Sequence, residues 1–585
     1  MSKFIKKNKL EIIFLILGIS YFVWFCSSIM IELPHLSWFY QFYILDPLFS
    51  KTITLSDILR SRYGAHGLFG YNVLFIINTL VFKMTTLFDV YLNDIIVAII
   101  GIISIYKTKQ IVKKRDASYI LSIVLISMIS FSAVQLSSGA METQVRLGIL
   151  FFVISTLFID KILRDDYRKS DLVWAIIYIF ISINIFGTAY SFAGIPLVFL
   201  ICFIIFLKNK KVDKARLSIV VAYIFAAILY IIEYFNFSGG GQKAECGRLF
   251  ERIFEFFKHP LAFMRAILGY NASGLLGSAG YLDGKFNDDF YVIVGLIVTL
   301  IMVYAIVQFI RLRIYKKSYI PVLFMAYSFF VPVLVMLDRE MSLKWCINEW
   351  YVVHTKLGLI GTIMILVYIY QNCIKKAEKI ILALSAMIIF IGSIMGNVVH
   401  LQRAPHVKNY YLDKQPYLFA QSIEELPVDE NNMTPLIASP EETMKSIEQM
   451  RKYNLSVYRY YNSYQKSLKI FGRYEAGSTL ETINELNGIY EDYWMEPTCE
   501  FELKTKNEGN VVLEIYYNEE VNGDETGRIY VNDEEVAEYK LTGDVTKVIF
   551  KTEPNSKVKV RIENDFSKTV DSRIVSAVLK SITCT

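Results

Sequence analysis

Long apolar runs broken by short polar connectors fill the first two thirds of the chain, and a different rhythm takes over near the end. A helix that crosses a bilayer needs roughly 20 apolar residues at 1.5 Å rise each. Eleven runs predict such helices: Leu10–Met30, Asp94–Tyr106, Ser118–Val134, Val145–Ile159, Leu172–Phe186, Ile195–Leu207, Leu217–Tyr234, Phe290–Ile310, Tyr319–Leu337, Val352–Tyr370 and Ile380–Asn397. From Cys499 apolar residues alternate with polar ones, through Phe501, Leu503, Val511–Tyr517, Ile529–Val531, Val548–Phe550, Val558–Ile562 and Val575–Leu579. That period of two, punctuated by the turn pairs Asn522-Gly523 and Gly543-Asp544, predicts a β-sandwich. Between the two patterns, Pro435–Ile437 reads as a short strand. Pro440 opens a helix, Glu441–Lys452, with acids in its first turn and basic residues in its last. The expected fold is an α-helical polytopic membrane domain (1–400), an α/β connector region (401–495) and a β-sandwich (496–585).

Composition agrees with two solvents. Of 585 residues 54% are hydrophobic, which excludes intrinsic disorder. The first 400 residues carry 39 Lys+Arg against 24 Asp+Glu, and the last 185 carry 22 against 31, so charge density rises sharply in the second part. The basic residues of the first part fall in every second connector: Lys107–Arg115, Lys161–Lys169, Lys208–Arg216, Arg311–Lys317 and Lys375–Lys379. The positive-inside bias puts these in the cytoplasm. The amino terminus is then cytoplasmic and the last domain lies outside the plasma membrane. This alternation requires Gly70–Phe88, interrupted by Asn72, Asn78 and Lys83, to lie in the outer interface instead of crossing. The long run of the first helix, without a small-residue cleavage site, marks a retained helix and not a signal peptide. Arg248–Lys258, with Leu249, Ile253, Phe256 and Phe257 on one face, also reads as interfacial. Gly239–Gly241 and Gly274–Gly284 read as mobile loops. Cys499 and Cys584 bracket the sandwich, and an exterior compartment permits a disulfide there; two free thiols are the alternative.

No Walker motif, dinucleotide fingerprint, metal-ligand spacing or committed Ser-His-Asp order is present. The ionisable residues that remain cluster in three outer connectors. The first holds Glu32, Asp46, Asp57, Arg60, Arg62 and His66. The second holds Glu142 and Arg146. The third holds Asp338, Arg339, Glu340, Lys344, Glu349, His354 and Lys356. Each alone is explained as a solvated or snorkelling group, and Asp57 as a helix cap or the partner of Arg60. Three clusters converging above one bundle suit a carboxylate base beside cations that hold a phosphate.

The layout, together with SSGAMETQVRLGILF from Ser137 and WYVVHTKLGLIGT from Trp350, resembles the GT-C glycosyltransferases of bacterial cell-surface polysaccharide pathways. That resemblance covers roughly residues 1–400 in layout and only these short stretches in residues. It implies transfer of a sugar from a polyprenyl-phosphate carrier to a polysaccharide or glycolipid acceptor, with membrane lipids as surroundings and no nucleic-acid partner. It also implies a catalytic Asp or Glu in the first outer loop. Glu32 ranks first for its place at the membrane exit, then Asp46, then Asp57. Arg146, Arg339 and Lys356 are the implied phosphate holders. The related stretch carries Ser-Arg-Tyr before His-Thr-Lys-Leu-Gly, whereas this chain has Glu349-Trp350-Tyr351, so the expected arginine is missing. Mg²⁺, Mn²⁺ or no metal are all compatible with the scattered carboxylates. A polysaccharide polymerase or ligase, or a flippase or transporter of lipid-linked sugars, are the alternative functions. Spans nearly free of charge disfavour proton-coupled transport.

Overall fold

The computed structural model describes residues 9–584 apart from 30–32, 34–41, 60–68, 113–114, 132–139, 188, 238–245, 339–340, 373–374, 413, 415–416, 419, 421, 430–432, 435, 437–438, 457, 459–479, 490–493, 506–508, 517–524, 542–545, 554–556 and 571–572. The chain forms two compact units, residues 1–412 with 436–438, and residues 413–435 with 439–585.

The first unit is helical. Its elements are α1 (Lys9–Ile29), α2 (Leu45–Phe49), α3 (Leu55–Leu59), α4 (Phe69–Phe82), α5 (Thr86–Ile111), α6 (Ala117–Phe131), α7 (Ala140–Leu163) and α8 (Lys169–Phe180). There follow α9 (Ile195–Asn209), α10 (Lys214–Phe237), α11 (Cys246–Lys258), α12 (Pro260–Leu276), α13 (Ala279–Leu282), α14 (Asp288–Arg311), α15 (Ile320–Asp338), α16 (Leu343–Cys346), α17 (Glu349–Asn372) and α18 (Lys376–Leu412). All eleven apolar runs fall on helices. Among the described residues eight helices are long and apolar enough to cross a membrane. Burial separates them: 94% of the apolar window of α17 is buried inside the unit, against 17% of that of α1. Helix α17 is therefore the hub on which the others pack, and α1 is a peripheral span whose apolar surface needs lipid.

Ion pairs tie the basic connectors to one end of the bundle. Glu11 at the start of α1 pairs with Lys109 (3.5 Å) and Arg115. Arg164 pairs with Asp160 at 3.1 Å, Lys161 with Asp171 at 2.7 Å and Arg216 with Asp165 at 2.6 Å. Arg311 reaches Glu378 at 2.9 Å, and the Tyr319 amide donates to Asp160 at 2.5 Å. Connectors far apart in sequence thus share one surface, as the charge alternation requires.

Helix α4 does not join that pattern. At 14 residues it spans about 21 Å, short of a ~30 Å hydrocarbon core. A Cβ on Gly70 at its start would lie 2.3 Å from the Ile185 carbonyl, so the helix lies backbone-to-backbone on the π-turn Ile181–Ile185 that ends α8. At its other end Lys83 and Met84 both take left-handed backbone (φ 57° and 63°) and turn the chain directly into α5. Both ends of α4 therefore sit away from the basic connectors. Helix α11 has the expected two faces, and its Phe254 and Phe257 are exposed.

Two expectations need correction. The stretch Gly274–Gly284 is not a mobile loop: most of it forms the end of α12 and α13 and is buried as far as Gly280. Its glycines are small because neighbours are close, with Leu359 and Thr355 within 3 Å of a Cβ built on Gly274. The connector expected from Leu401 begins instead as the last turns of α18, which runs unbroken to Leu412.

The second unit carries α19 (Pro440–Lys452), whose Ser439 cap accepts from the Glu442 amide at 3.3 Å. Leu436 stands in a turn, not the expected strand, and its neighbours Pro435 and Ile437 lie outside the described residues. The strands are β1 (Leu480–Ile489), β2 (Met495–Thr505), β3 (Gly509–Tyr516), β4 (Thr526–Val531), β5 (Glu534–Lys540), β6 (Thr546–Thr552), β7 (Lys557–Asn564), β8 (Lys568–Val570), β9 (Arg573–Val575) and β10 (Val578–Cys584). They form an antiparallel sheet in the order β1-β2-β7-β4-β5, a second in the order β10-β3-β6, and a β8-β9 ribbon. Cross-strand pairs Phe501↔Val560 and Leu513↔Val548 line a core shared by the two larger sheets. Strand β5 escapes the alternation reading because only Tyr539 of its residues is buried. Its hairpin turn is Asn532-Asp533, both at positive φ, a type I′ arrangement. The Asn522-Gly523 and Gly543-Asp544 turns lie outside the described residues. Cys499 carries no disulfide; its thiol is free, packed in the shared core, and burial pushes it well above its ordinary pKa.

Candidate functional site

Polar side chains accumulate inside the first unit at the end away from the basic connectors. The cause is local: the helices start earlier than the apolar runs. Helix α5 begins at Thr86, eight residues before the expected Asp94, so Asp89, Asn93 and Asp94 all enter the packed interior. Helix α7 begins at Ala140, which puts Arg146 in its second turn and buries it.

Asp89 is held from two sides. The Thr143 hydroxyl of α7 donates to one carboxylate oxygen at 3.1 Å, and the Asn78 amide of α4 to the other at 3.4 Å. Asn78 in turn clamps the start of α5, donating to the Thr85 carbonyl (3.0 Å) and accepting from the Thr85 amide (3.1 Å). Asp89 thus bolts α4, α5 and α7 together, and its lone pairs are occupied.

Asp94 differs. Five residues on, it points to another side of α5, where the Cys26 thiol of α1 and the Arg146 guanidinium are its charged and polar neighbours. The residue is 4% exposed, yet no N–H or O–H donor among the described residues reaches either carboxylate oxygen. A buried carboxylate with only a thiol beside it as donor is costly, and such groups are candidates for functional positions.

A second group is cationic. At the end of α12, Gly277 takes φ +67°, and a Cβ there would lie 2.0 Å from His400 Nε2, so the imidazole of α18 packs on bare backbone. Both His400 ring nitrogens are buried without a hydrogen-bond partner among the described residues. Lys356 of α17, itself buried, and Arg403, one turn beyond His400, are its charged neighbours. Asp283 pairs with Arg403 at 3.3 Å and Lys285 stands 4.0 Å from it, so one carboxylate is set against several cations. The two groups adjoin the same helix contact. Cys26 packs with Leu401 and Ala404 of α18, and Tyr21 OH lies 3.5 Å from Asn397 Oδ1, one turn before His400.

The structure distributes the sequence-expected residues unevenly. Asp57 accepts from the Thr54 amide (2.8 Å) and hydroxyl (2.7 Å), which is the capping role that competes with catalysis. Asp46 sits half-buried in α2. His354 is fully buried but two residues from Lys356, hence about 200° around α17, and its Nδ1 meets Tyr327 OH at 3.0 Å on the α15 side. Lys344 is exposed on α16. Glu32, Arg60, Arg62, His66 and Arg339 lie outside the described residues, as do the side chains of Glu142 and Glu349 on α7 and α17. Asp89, Asp94, Asp283, His400 and Arg403 were not singled out by sequence, although the polar triplet Asp89, Asn93 and Asp94 at the head of an apolar run was a readable signal. Among the described residues no group of three His, Cys, Asp or Glu is arranged to hold a metal ion.

Searches against family models, curated proteins and solved structures found no match to this chain.

Proposed function

We propose that the protein is a multi-pass plasma-membrane glycosyltransferase that moves a sugar from a polyprenyl-phosphate carrier to a cell-surface polysaccharide or glycolipid. The observation that supports this reading is the presence, at one end of the helical unit, of a buried carboxylate, Asp94, and of the cations Lys356 and Arg403 around His400. Asp94 joins the first-loop carboxylates as a candidate base, and we rank it above Asp57, which is committed to its cap; Glu32 lies outside the described residues.

In this scheme the Asp94 carboxylate removes the proton of an acceptor hydroxyl as that oxygen attacks the anomeric carbon. The bond from the anomeric carbon to the carrier phosphate breaks, and its electron pair leaves on the phosphate oxygen. Lys356 and Arg403 stabilise that charge. Direct displacement inverts the anomeric centre. Arg146 of α7 lies beside Asp94. The chain's amino terminus is cytoplasmic and the second unit external in this reading, which puts the site at the outer face where lipid-linked sugars are consumed.

The test is turnover of a polyprenyl-phosphate sugar by purified full-length protein, with and without added Mg²⁺ or Mn²⁺. Asp94→Asn is expected to lose about 10²-fold or more in rate, and Lys356→Gln to weaken donor use. Wild-type turnover by Asp94→Asn would remove the assigned base. Absence of any sugar transfer, with surface polysaccharide shortened but unchanged in composition in cells lacking the protein, would favour a polymerase instead.

A further inference from the structure

At the basic end of the first unit, far in sequence from Asp94 and Lys356, helices α9 and α10 flank an open groove of about 560 Å³. That is the size of a pocket for a small amphiphile. Phe199, Phe203 and Phe206 of α9 and Leu217 and Val220 of α10 line it, while Lys211, Arg216 and the Asp213 carboxylate paired with Arg216 stand at its polar end. Both helices are membrane-span candidates, with 17% and 33% of their apolar windows buried inside the protein. Phe203 and Leu217 are accordingly exposed, and only lipid tails match such walls.

The polar end is built for an anion. From Lys208 to Arg216 the chain carries five basic residues and one acidic one, Asp213. Arg216 is 6% exposed and lines the groove. Its guanidinium is anchored by the Leu163 carbonyl (3.2 Å), Asp165 (2.6 Å) and Asp213 (2.9 Å), but its Nε–H is buried with no acceptor among the described residues. A buried charged donor lacking an acceptor is costly, and an incoming phosphate oxygen relieves that cost.

We propose that the α9/α10 groove binds an anionic phospholipid of the bilayer. The headgroup phosphate accepts from Arg216 Nε–H and pairs with Lys211, and an acyl chain runs along Phe203, Phe206 and Leu217. Basic pockets between membrane helices are suited to such headgroups. The site does not depend on the transferase reading, since it uses none of those residues.

Native mass spectrometry of the full-length protein in detergent, offered equimolar phosphatidylglycerol and phosphatidylcholine, tests it. The protein should retain phosphatidylglycerol preferentially. Lys211→Gln, at an exposed position, should cut that preference about five-fold, the effect of one surface cation on an anionic headgroup. Leu217→Trp, which fills the groove without touching the charges, should reduce retention of both lipids. Equal retention of the two lipids by the unaltered protein overturns the proposal. A phosphatidylglycerol preference that survives both substitutions overturns it too, because the site then lies elsewhere.

Discussion

Gly295→Ala separates local propensity from packing, because the two act with opposite sign. Gly295 lies inside α14, where Ala is favoured over Gly by about 1 kcal/mol. The added methyl carbon would sit 1.8 Å from the Leu268 carbonyl oxygen and 2.4 Å from its carbon on α12. Ordinary contact begins at 3.4 Å, so the methyl is about 1.6 Å too close to main chain that no rotamer change can move. Relieving it requires α12 and α14 to separate along their whole crossing, which also pulls at the Asn271–Thr299 hydrogen bond (2.9 Å) one turn away. Overpacking of this kind costs about 1–3 kcal/mol or more. An overlap this deep belongs at the upper end of that range, so against the propensity gain a net loss of about 2 kcal/mol and a drop of about 2 °C in melting midpoint are expected for a unit of this size. The assay is thermal unfolding of the full chain in detergent, with Leu296→Ala, at a neighbouring exposed position, as the control expected to change little. A midpoint equal to or above that of the unaltered protein would refute the close α12–α14 crossing.

Other expectations follow from the same contacts. Asp94→Asn should abolish most sugar transfer while Asp57→Ala leaves it nearly intact and costs about 1 kcal/mol of local stability through loss of the cap; equal turnover losses in both would return the base to the first loop. A cysteine at Lys83, on the exposed turn between α4 and α5, should react with a membrane-impermeant thiol reagent from outside intact cells. Labelling only after permeabilisation would invert the topology. Cys499 should resist thiol reagents at pH 8 until the second unit unfolds, since burial disfavours its thiolate. Its folded pKa is raised above the unfolded value near 9.0, so the neutral thiol's contribution to stability is complete below that pH and declines above it; a stability profile that rises there would contradict the burial. Tyr539→Phe should cost about 1–3 kcal/mol by leaving Asn564 Oδ1 without its buried donor.

Residue order alone determined where helices and strands form. Apolar runs and alternation report what each segment buries, and that demand is local, so all eleven runs lie on helices and Cys499–Leu503, Val548–Phe550 and Val558–Ile562 fall on strands, while Val575–Leu579 is split between β9 and β10. Charge order determined that the basic connectors share a surface, because ions gather where water and counter-ions are available. Sequence did not disclose β5, whose three glutamates face outward and whose single buried residue, Tyr539, is too little to set a period. Nor did it disclose the turn at Asn532-Asp533 from composition alone. The candidate site was less legible still. Asp89 and Asp94 are five residues apart and chemically identical, yet one is saturated by Thr143 and Asn78 and the other has only a thiol beside it as donor. His354 and Lys356 look like one motif, but helix geometry sends them to opposite sides of α17. Lys356 finds its neighbours on α18, more than forty residues away along the chain. Which polar group is satisfied and which is left to react depends on what other helices bring to within about 3 Å, and only the tertiary structure decides that.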